Sequence, residues 1–472
     1  MKQYDAVVVG SGPNGLSAAI TLAQAHLSVL VLEGKSTVGG GMRSAELTLP
    51  GFVHDICSAV HPLGAGSPFF KTLPLNQYGL QWIFPPTPLA HPFKDGHSVF
   101  LERSIEEMAS FLGSDFAAYK KMMQPLVANW SDLSDDILAP LHFPKHPLEM
   151  LHFAFYGLRS CVGLANKMFH QVNARALFAG LSAHSIMPLD KYCTAAFGLI
   201  LGILGHVIGW PIPKGGSQNI ANALAAYLKS LGGEIVTNSM VENWEQIPSC
   251  NAIFFDVTPK QFLKIAGSKL SGQYRSRMEK YRYGPGVFKM DWALDHPIPW
   301  KDPACAKAGT IHLGGTLEEI ARSERQVWQG QVPGNNFILL AQPSLFDPSR
   351  APHGKHVAWA YCHVPHGCSV DMIQQIEQQI EQYAPGFIDC ILARHSFSPQ
   401  ALENYNPNYI GGDINGGIQD IYQLFSRPIA RLNPYSTPLK DVYLCSSSTP
   451  PGGGVHGMCG YLAARSALKN SF

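Results

Sequence analysis

Two kinds of apolar pattern alternate along the chain. "YDAVVVG", "SVLVLE", "AIFFDVTP" and the Val442–Cys445 part of "DVYLC" are short, nearly unbroken apolar runs. Such runs predict strands buried on both faces of a parallel sheet. Between them, "LSAAITLAQAH" and the series Ile220, Leu224, Leu228, Leu231 carry apolar residues at helical spacing, and the second helix leads into a strand within "GGEIVTNSMV". "GVFKMDWAL" and "HVAWAYCHV" alternate instead, which predicts antiparallel strands, while "SIEEMASFLGSDFAAYKKMM" is helical. No charge interrupts the segment between Lys191 and Lys214, and its Gly198, Gly202, Gly205 and Gly209 step by four, three and four. They fall on one face of a buried helix that admits close backbone approach. That helix contains His206, stops at Pro211 and Pro213, and suits the wall of an apolar tunnel better than a membrane span.

The first strand ends in Gly10-Ser-Gly12-Pro-Asn-Gly15, and the second in Glu33, 18 residues past Gly15. Strand, G-x-G-x-x-G, helix, strand and acid are the parts of a Rossmann dinucleotide fingerprint. Gly10 makes the turn, Gly12 lets a pyrophosphate approach, and Gly15 lets helix and strand pack. The helix N-terminus offers N–H donors to phosphate, and Glu33 grips ribose hydroxyls. A second glycine-rich loop, "PPGGGVHGMCG", lies near the end, followed by a helix from about Met458. Two prolines precede its glycines, and no second strand or acid follows. It therefore completes the first site from the far end of the chain.

"STVGGGMRS" follows Glu33 directly. A glycine pair and an arginine here resemble the second FAD signature of glutathione-reductase-type and amine-oxidase-type flavoproteins. With "VVVGSGPNGLSAA", "GWPIPKGGSQNIANAL", "YGPGVFKMDWALDHPIPW", "NPNYIGGDINGG" and "YLCSSSTPPGGGVHGMCGY", the chain resembles the phytoene-desaturase-like branch of FAD oxidoreductases over nearly its whole length. Within that branch it is similar to the pyridine nucleotide-disulphide oxidoreductase domain-containing protein 2 group. The resemblance implies an α/β fold: a Rossmann-type FAD-binding domain (1–75, 208–270, 396–472) interleaved with an α+β substrate domain (76–207, 271–395) of antiparallel sheet plus helices. It implies cofactor contacts from Gly10, Gly12, Pro13, Asn14, Gly15, Glu33, Gly34, Lys35, Gly40, Gly41, Met42, Arg43, Val241, Ser447, Gly454, Val455, His456 and Met458. Val241, at the end of its strand, would meet the adenine; Arg43 would offset phosphate charge, unless it forms a surface salt bridge. Ser446-Ser447-Ser448 stands where FAD enzymes often carry an acid.

Composition narrows the partners. With 46% apolar and 15% charged residues the chain has enough core to fold, and a net charge of +1 leaves no footprint for nucleic acid. Met1 leads straight into the first strand, leaving no room for a signal or transit peptide, and the ten cysteines contain no C-x-x-C. A cytoplasmic protein with reduced thiols is expected.

Flavin N5 takes the hydride, so the protein must orient substrate and manage a proton. Lys289, within an apolar strand, resembles the lysine that holds a water near N5 in flavin amine oxidases; snorkelling, or pairing with Asp291 or Asp295, is the alternative. His61 and His312 are further candidates, and His184 could reach the same cavity. "HVPH" at 363–366 has no nearby carboxylate in sequence and makes no metal site. Asn406, Asp413 and Asn415 are expected to support a loop. The leading expectation is an FAD-dependent desaturase or oxidase acting on a small apolar, isoprenoid or lipid-like substrate, with oxygen or a quinone as electron acceptor. An amine-oxidase-type reaction, double-bond isomerisation and a flavin-binding scaffold are the competing readings. Peripheral membrane contact is compatible with each, and oligomeric state is left open.

Overall fold

The fold is that of a computed structural model describing residues 3–472. The unbroken apolar runs form a five-stranded, wholly parallel sheet in the order Val442–Leu444, Cys250–Phe255, Tyr4–Val9, Val29–Leu32, Glu234–Val236. Its central strands are buried on both faces, which is why they are apolar throughout. On one face the helices Pro13–Gln24, Gln218–Ser230 and Met458–Asn470 bury Leu16, Ile20, Ala221, Leu224, Ala463 and Ala467. On the other, Pro259–Ala266 and Gly272–Glu279 bury Phe262, Ile265 and Met278.

The alternating segments form a seven-stranded sheet in the order Ile391–Phe397, Gly286–Leu294, His356–Val364, Ile338–Ala341, Ala308–Leu313, Thr87–Pro92, Ser98–Leu101. The sheet is mixed rather than antiparallel. Thr87–Pro92 pairs parallel with Ala308–Leu313, Leu89 lying opposite Thr310. This strand and its hairpin partner lie just before the helical stretch that begins at Ser104, where the apolar pattern signals no strand. Pro88 and Pro92 interrupt its alternation and hide the strand signal.

Helices from the 106–207 region cover this sheet. Thr194–Val207 runs buried among them, and its glycines serve three different neighbours. A Cβ at Gly198 would lie 2.4 Å from Ser182 Oγ, one at Gly202 3.0 Å from Met123 Cε, and one at Gly205 2.4 Å from Leu101 Cδ2. Gly209 is not part of this face. It lies past the helix end at φ +85°, where it turns the chain out. Among the described residues no helix is long and apolar enough to cross a membrane.

The chain's two glycine loops meet where its first and last long helices touch. Gly460 lies against the opening helix so closely that a Cβ would stand 1.7 Å from the Asn14 carbonyl oxygen. Gly460→Val is therefore expected to destabilise the protein by about 3 kcal/mol or more, since backbone cannot move aside as a side chain can. Urea denaturation measures the difference, with Lys469→Ala, at an exposed position of the same helix, as the control.

Candidate dinucleotide and substrate site

Register builds the site. Val9 lies opposite both Leu32 and Phe255, and Phe255 lies opposite Leu444. The next residues out, Gly10, Glu33, Asp256 and Cys445, therefore end their strands at one level. A cavity of about 460 Å³ opens there, lined by Gly10, Glu33 and Asp256 and, beyond the closing strand, by Ser446 and Ser447. Ligands of open parallel sheets bind at this edge.

The backbone comes unusually near at three glycines. A Cβ at Gly12 would stand 2.6 Å from Asp256 Oδ2, and one at Gly15 2.1 Å from the Gly10 carbonyl. One at Gly40 would stand 2.9 Å from Gly12 Cα, so the second glycine stretch rests on the first. Pro13 starts the helix at its first position, and the preceding Gly12 provides no side-chain cap. Of its first-turn amides, Gly15 donates to Asp256 Oδ2 and Leu16 to the Gly12 carbonyl, which leaves Asn14, on the cavity wall, for an anion. Buried Asn14 Oδ1 has no hydrogen-bond partner among the described residues. A cradle that excludes every Cβ, with a helix N-terminus and an unpaired amide oxygen, fits a dinucleotide diphosphate and its ribose.

Glu33 is held on both oxygens. Oε2 accepts from the Ser11 amide (3.1 Å), and Oε1 accepts from the Lys35 amide (2.8 Å) and Arg43 Nη2 (2.9 Å). Arg43 also donates to the Thr37 carbonyl. Its ion pair is buried, not the surface bridge that the sequence offered as the alternative to phosphate contact. Val241 does not end its strand, which stops at Val236. It reaches the cavity because Asn238 and Ser239 donate back to the carbonyls of Lys35 and Glu33, turning the chain over the rim.

Asp256 is the residue that sequence reasoning missed. Its Oδ2 accepts from the Gly15 amide at 2.8 Å. Burial, reinforced by the Glu33 carboxylate, pushes this carboxyl up to about 7 against the pull of that hydrogen bond. The available signal was position: Asp256 follows its strand just as Gly10 and Glu33 follow theirs.

The other arm of the cavity is lined by Leu63, Leu201, Trp210, Leu339, Trp359 and Tyr361, with His61, His184 and Thr310. His61 Nε2 contacts Ser217 Oγ at 2.7 Å, and its buried Nδ1 has no partner among the described residues. Burial pushes His61 down to about 4 and His184 to about 3, so both are neutral at physiological pH. His184 Nε2 lies 3.0 Å from His312 Nε2. His312 stands behind His184 and does not line the cavity. It reaches substrate only through its neighbour.

Residues 8–73 match the family model for the NAD(P)-binding Rossmann-like domain. The pyridine nucleotide-disulfide oxidoreductase domain-containing protein 2 of Rattus norvegicus is 26% identical, over 99% of this chain and 94% of its own length. A phytoene desaturase (lycopene-forming) from Pantoea ananas is 21% identical, over 98% of each chain. The chain thus resembles the phytoene-desaturase-like oxidoreductases over nearly its whole length. Putrescine oxidase, wild type bound to putrescine, shares the fold of this desaturase-like chain at a TM-score of 0.61 and 17% identity, covering 99% of both.

Several residues expected at the cofactor stand behind the cavity wall. Met42 is fully buried in the core below it. Gly15 serves the turn. His456 Nδ1 accepts from the Met458 amide at 3.0 Å, so both residues secure the start of the closing helix, and Gly454 and Val455 form the wall. Asn406 and Asn415 do more than support a loop, since both line the cavity. Asp413 has the expected role, accepting from the amides of Gly284, Asn415 and Gly417. His363 has a carboxylate that sequence distance concealed: Glu324 Oε1 lies 2.8 Å from its Nδ1.

Lys289 does not line the cavity either. Its ammonium is ion-paired with Asp291, two residues along the same buried strand, and lies 5.9 Å from the Phe397 ring. Burial lowers its proton affinity and the Asp291 carboxylate opposes that. The pair satisfies the charge that sequence reading assigned to a flavin-side water. Lys289→Met is expected to lose about 3 kcal/mol of stability by stranding Asp291. Lys289→Met/Asp291→Leu should recover most of it in urea denaturation; no recovery would contradict a pairing role.

Asp256 yields a pH prediction. Folded protein keeps this proton to about pH 7, whereas an unfolded aspartate loses it at about 4. Stability is therefore lost as pH rises through this window. In urea denaturation Asp256→Asn should gain stability relative to wild type at pH 8, with the gain shrinking progressively toward pH 5.

Proposed function

We propose that this chain binds FAD along the strand-end cleft and oxidises an apolar, isoprenoid or lipid-like substrate in the aromatic arm. One observation carries the reading. A single cavity joins a glycine cradle at a helix N-terminus to a wall of Leu201, Trp210, Leu339, Trp359 and Tyr361. Similarity to a lycopene-forming phytoene desaturase supports the substrate class.

When bound, FAD supplies a two-electron acceptor. The protein's own tasks are binding, orientation, exclusion of water and management of a proton. The first turn of Pro13–Gln24 would hold the diphosphate, Glu33 the ribose and Val241 the adenine. Ser447, Gly454 and Val455 would border the ring end. Trp210, Trp359 and Tyr361 bury hydrocarbon and keep water out. His61 and His184 are neutral imidazoles on the cavity wall that can orient substrate by hydrogen bonding. His312, in contact with His184, orients that ring.

An amine substrate has one point in its favour, the Trp359–Tyr361 ring pair with centroids 5.2 Å apart. The cavity's carboxylates, Glu33, Glu242 and Asp256, all belong to the cofactor arm, so an ammonium group would lack a counter-ion beside those rings.

Purified protein, reconstituted with FAD if needed, should show a visible flavin band. Anaerobic addition of an isoprenoid hydrocarbon in detergent should bleach it, and a primary amine should not. Trp210→Ala should slow bleaching at least about tenfold, given the apolar contact it removes. Reoxidation by air within seconds identifies oxygen as the acceptor; reoxidation by a quinone alone identifies a desaturase-type acceptor. Absence of flavin after reconstitution would overturn the reading.

A further inference from the structure

The aromatic arm of the cavity is not wholly apolar. Thr310 and Trp359 both line it, at 3% and 8% exposure. Neither Thr310 Oγ1 nor Trp359 Nε1 has a hydrogen-bond partner among the described residues. A buried polar atom without a partner costs free energy, and folded interiors contain few of them. Two on one wall of one cavity require a physical account.

The register of the seven-stranded sheet sets them side by side. Ile311 lies opposite Leu340, so the residue before it, Thr310, faces Ala341, and Ala341 lies opposite Trp359. Thr310, Ala341 and Trp359 thus form one row on one face, two strand spacings or about 10 Å from end to end. The middle residue has only a methyl group. The threonine hydroxyl and the indole therefore flank a low floor, which Ala341 and Trp359 share with Ala59.

Their chemistry selects what they can meet. An indole N–H only donates, and a hydroxyl either donates or accepts. The group opposite must accept, which excludes an ammonium. The charged residues lining the cavity, Glu33, Lys35, Arg43, Glu242, Asp256 and Lys264, all stand in the cofactor arm, where Arg43 pairs with Glu33 and Lys264 with Glu242. A carboxylate between Thr310 and Trp359 would therefore lack a counter-ion and be costly to bury. An uncharged oxygen fits. Pure hydrocarbon filling the arm would displace water from both atoms and return no hydrogen bond, whereas a hydroxyl or carbonyl oxygen would replace the bonds that water made.

We propose that the aromatic arm selects an oxygenated apolar substrate, whose hydroxyl or carbonyl oxygen accepts from Trp359 Nε1 and bonds the Thr310 hydroxyl. This rests on the reading of the cavity as a site for FAD and an isoprenoid or lipid-like substrate, and deepens it. Thr310 and Trp359 become the residues that set specificity, while Leu201, Trp210 and Leu339 bury the hydrocarbon part.

The test compares farnesene, farnesol and farnesal, isoprenoids of one skeleton carrying no oxygen, a hydroxyl and an aldehyde. Binding to the whole FAD-loaded chain is measured anaerobically by equilibrium dialysis. Farnesol or farnesal should bind at least about tenfold tighter than farnesene, and the tighter of the two identifies the oxygen as hydroxyl or carbonyl. Thr310→Val/Trp359→Phe, which keeps the shape of the wall and removes both polar atoms, should bring that ratio to about one or below. Thr310→Ser, which keeps the hydroxyl, should retain most of it. Should the double variant misfold by near-ultraviolet circular dichroism, Thr310→Val alone, set against Thr310→Ser, carries the comparison. Equal affinity for all three ligands, or a preference that survives loss of the polar atoms, would overturn the inference and leave the proposed oxidation standing. Failure of all three to bind a chain that holds FAD would overturn both the inference and the isoprenoid reading.

Discussion

The architecture depends on how closely backbone from distant parts of the chain approaches at the end of one parallel sheet. Gly10, Gly12 and Gly15 lie against Asp256 and one another at separations that no Cβ tolerates. Gly40 rests on Gly12, and Gly460 on Asn14. These contacts determine where the N-terminus of the first helix points and therefore where an anionic ligand could sit. The charges around it, Glu33 paired with Arg43 and Asp256 held by the Gly15 amide, are arranged by the same closeness.

The seven-stranded sheet and its junction with the first are held by a different device. Lys289 with Asp291, Arg350 with Asp55, and His363 with Glu324 place ionisable groups deep in an apolar interior. Each partner offsets the other's loss of water. Asp55 extends this order toward the cavity. Its Oδ1 accepts from the Ser217 amide at 2.8 Å, and the Ser217 hydroxyl contacts His61. A buried ion pair thereby fixes the orientation of a cavity imidazole.

What the sequence revealed followed from local periodicity. The parallel strands, the glycine fingerprint and the joining of the two glycine loops all leave short-range signals. Asp256 left only its position after a strand. Lys289 left two readings open, a flavin-side water or pairing with Asp291 or Asp295, and the structure has the pair with Asp291 two residues along the same strand. Thr87–Pro92 was obscured by its prolines. His312 was placed in the cavity, when the fold sets His184 between them. Side-chain pairings across the interior depend on tertiary neighbours, and no window of sequence contains these.

The order of strands also governs how the molecule comes into being. The strand Tyr4–Val9 takes its place between Val29–Leu32 and Cys250–Phe255, and the sheet's outer strand Val442–Leu444 is made after all of them. During synthesis one edge of the opening strand therefore waits unpaired while more than half the chain emerges, exposing backbone donors and acceptors that invite misassociation. The cleft has no closing wall until Gly454, Val455 and the final helix leave the ribosome. Ligand occupancy thus reports that the strand Val442–Leu444 and the loop after it have joined the sheet.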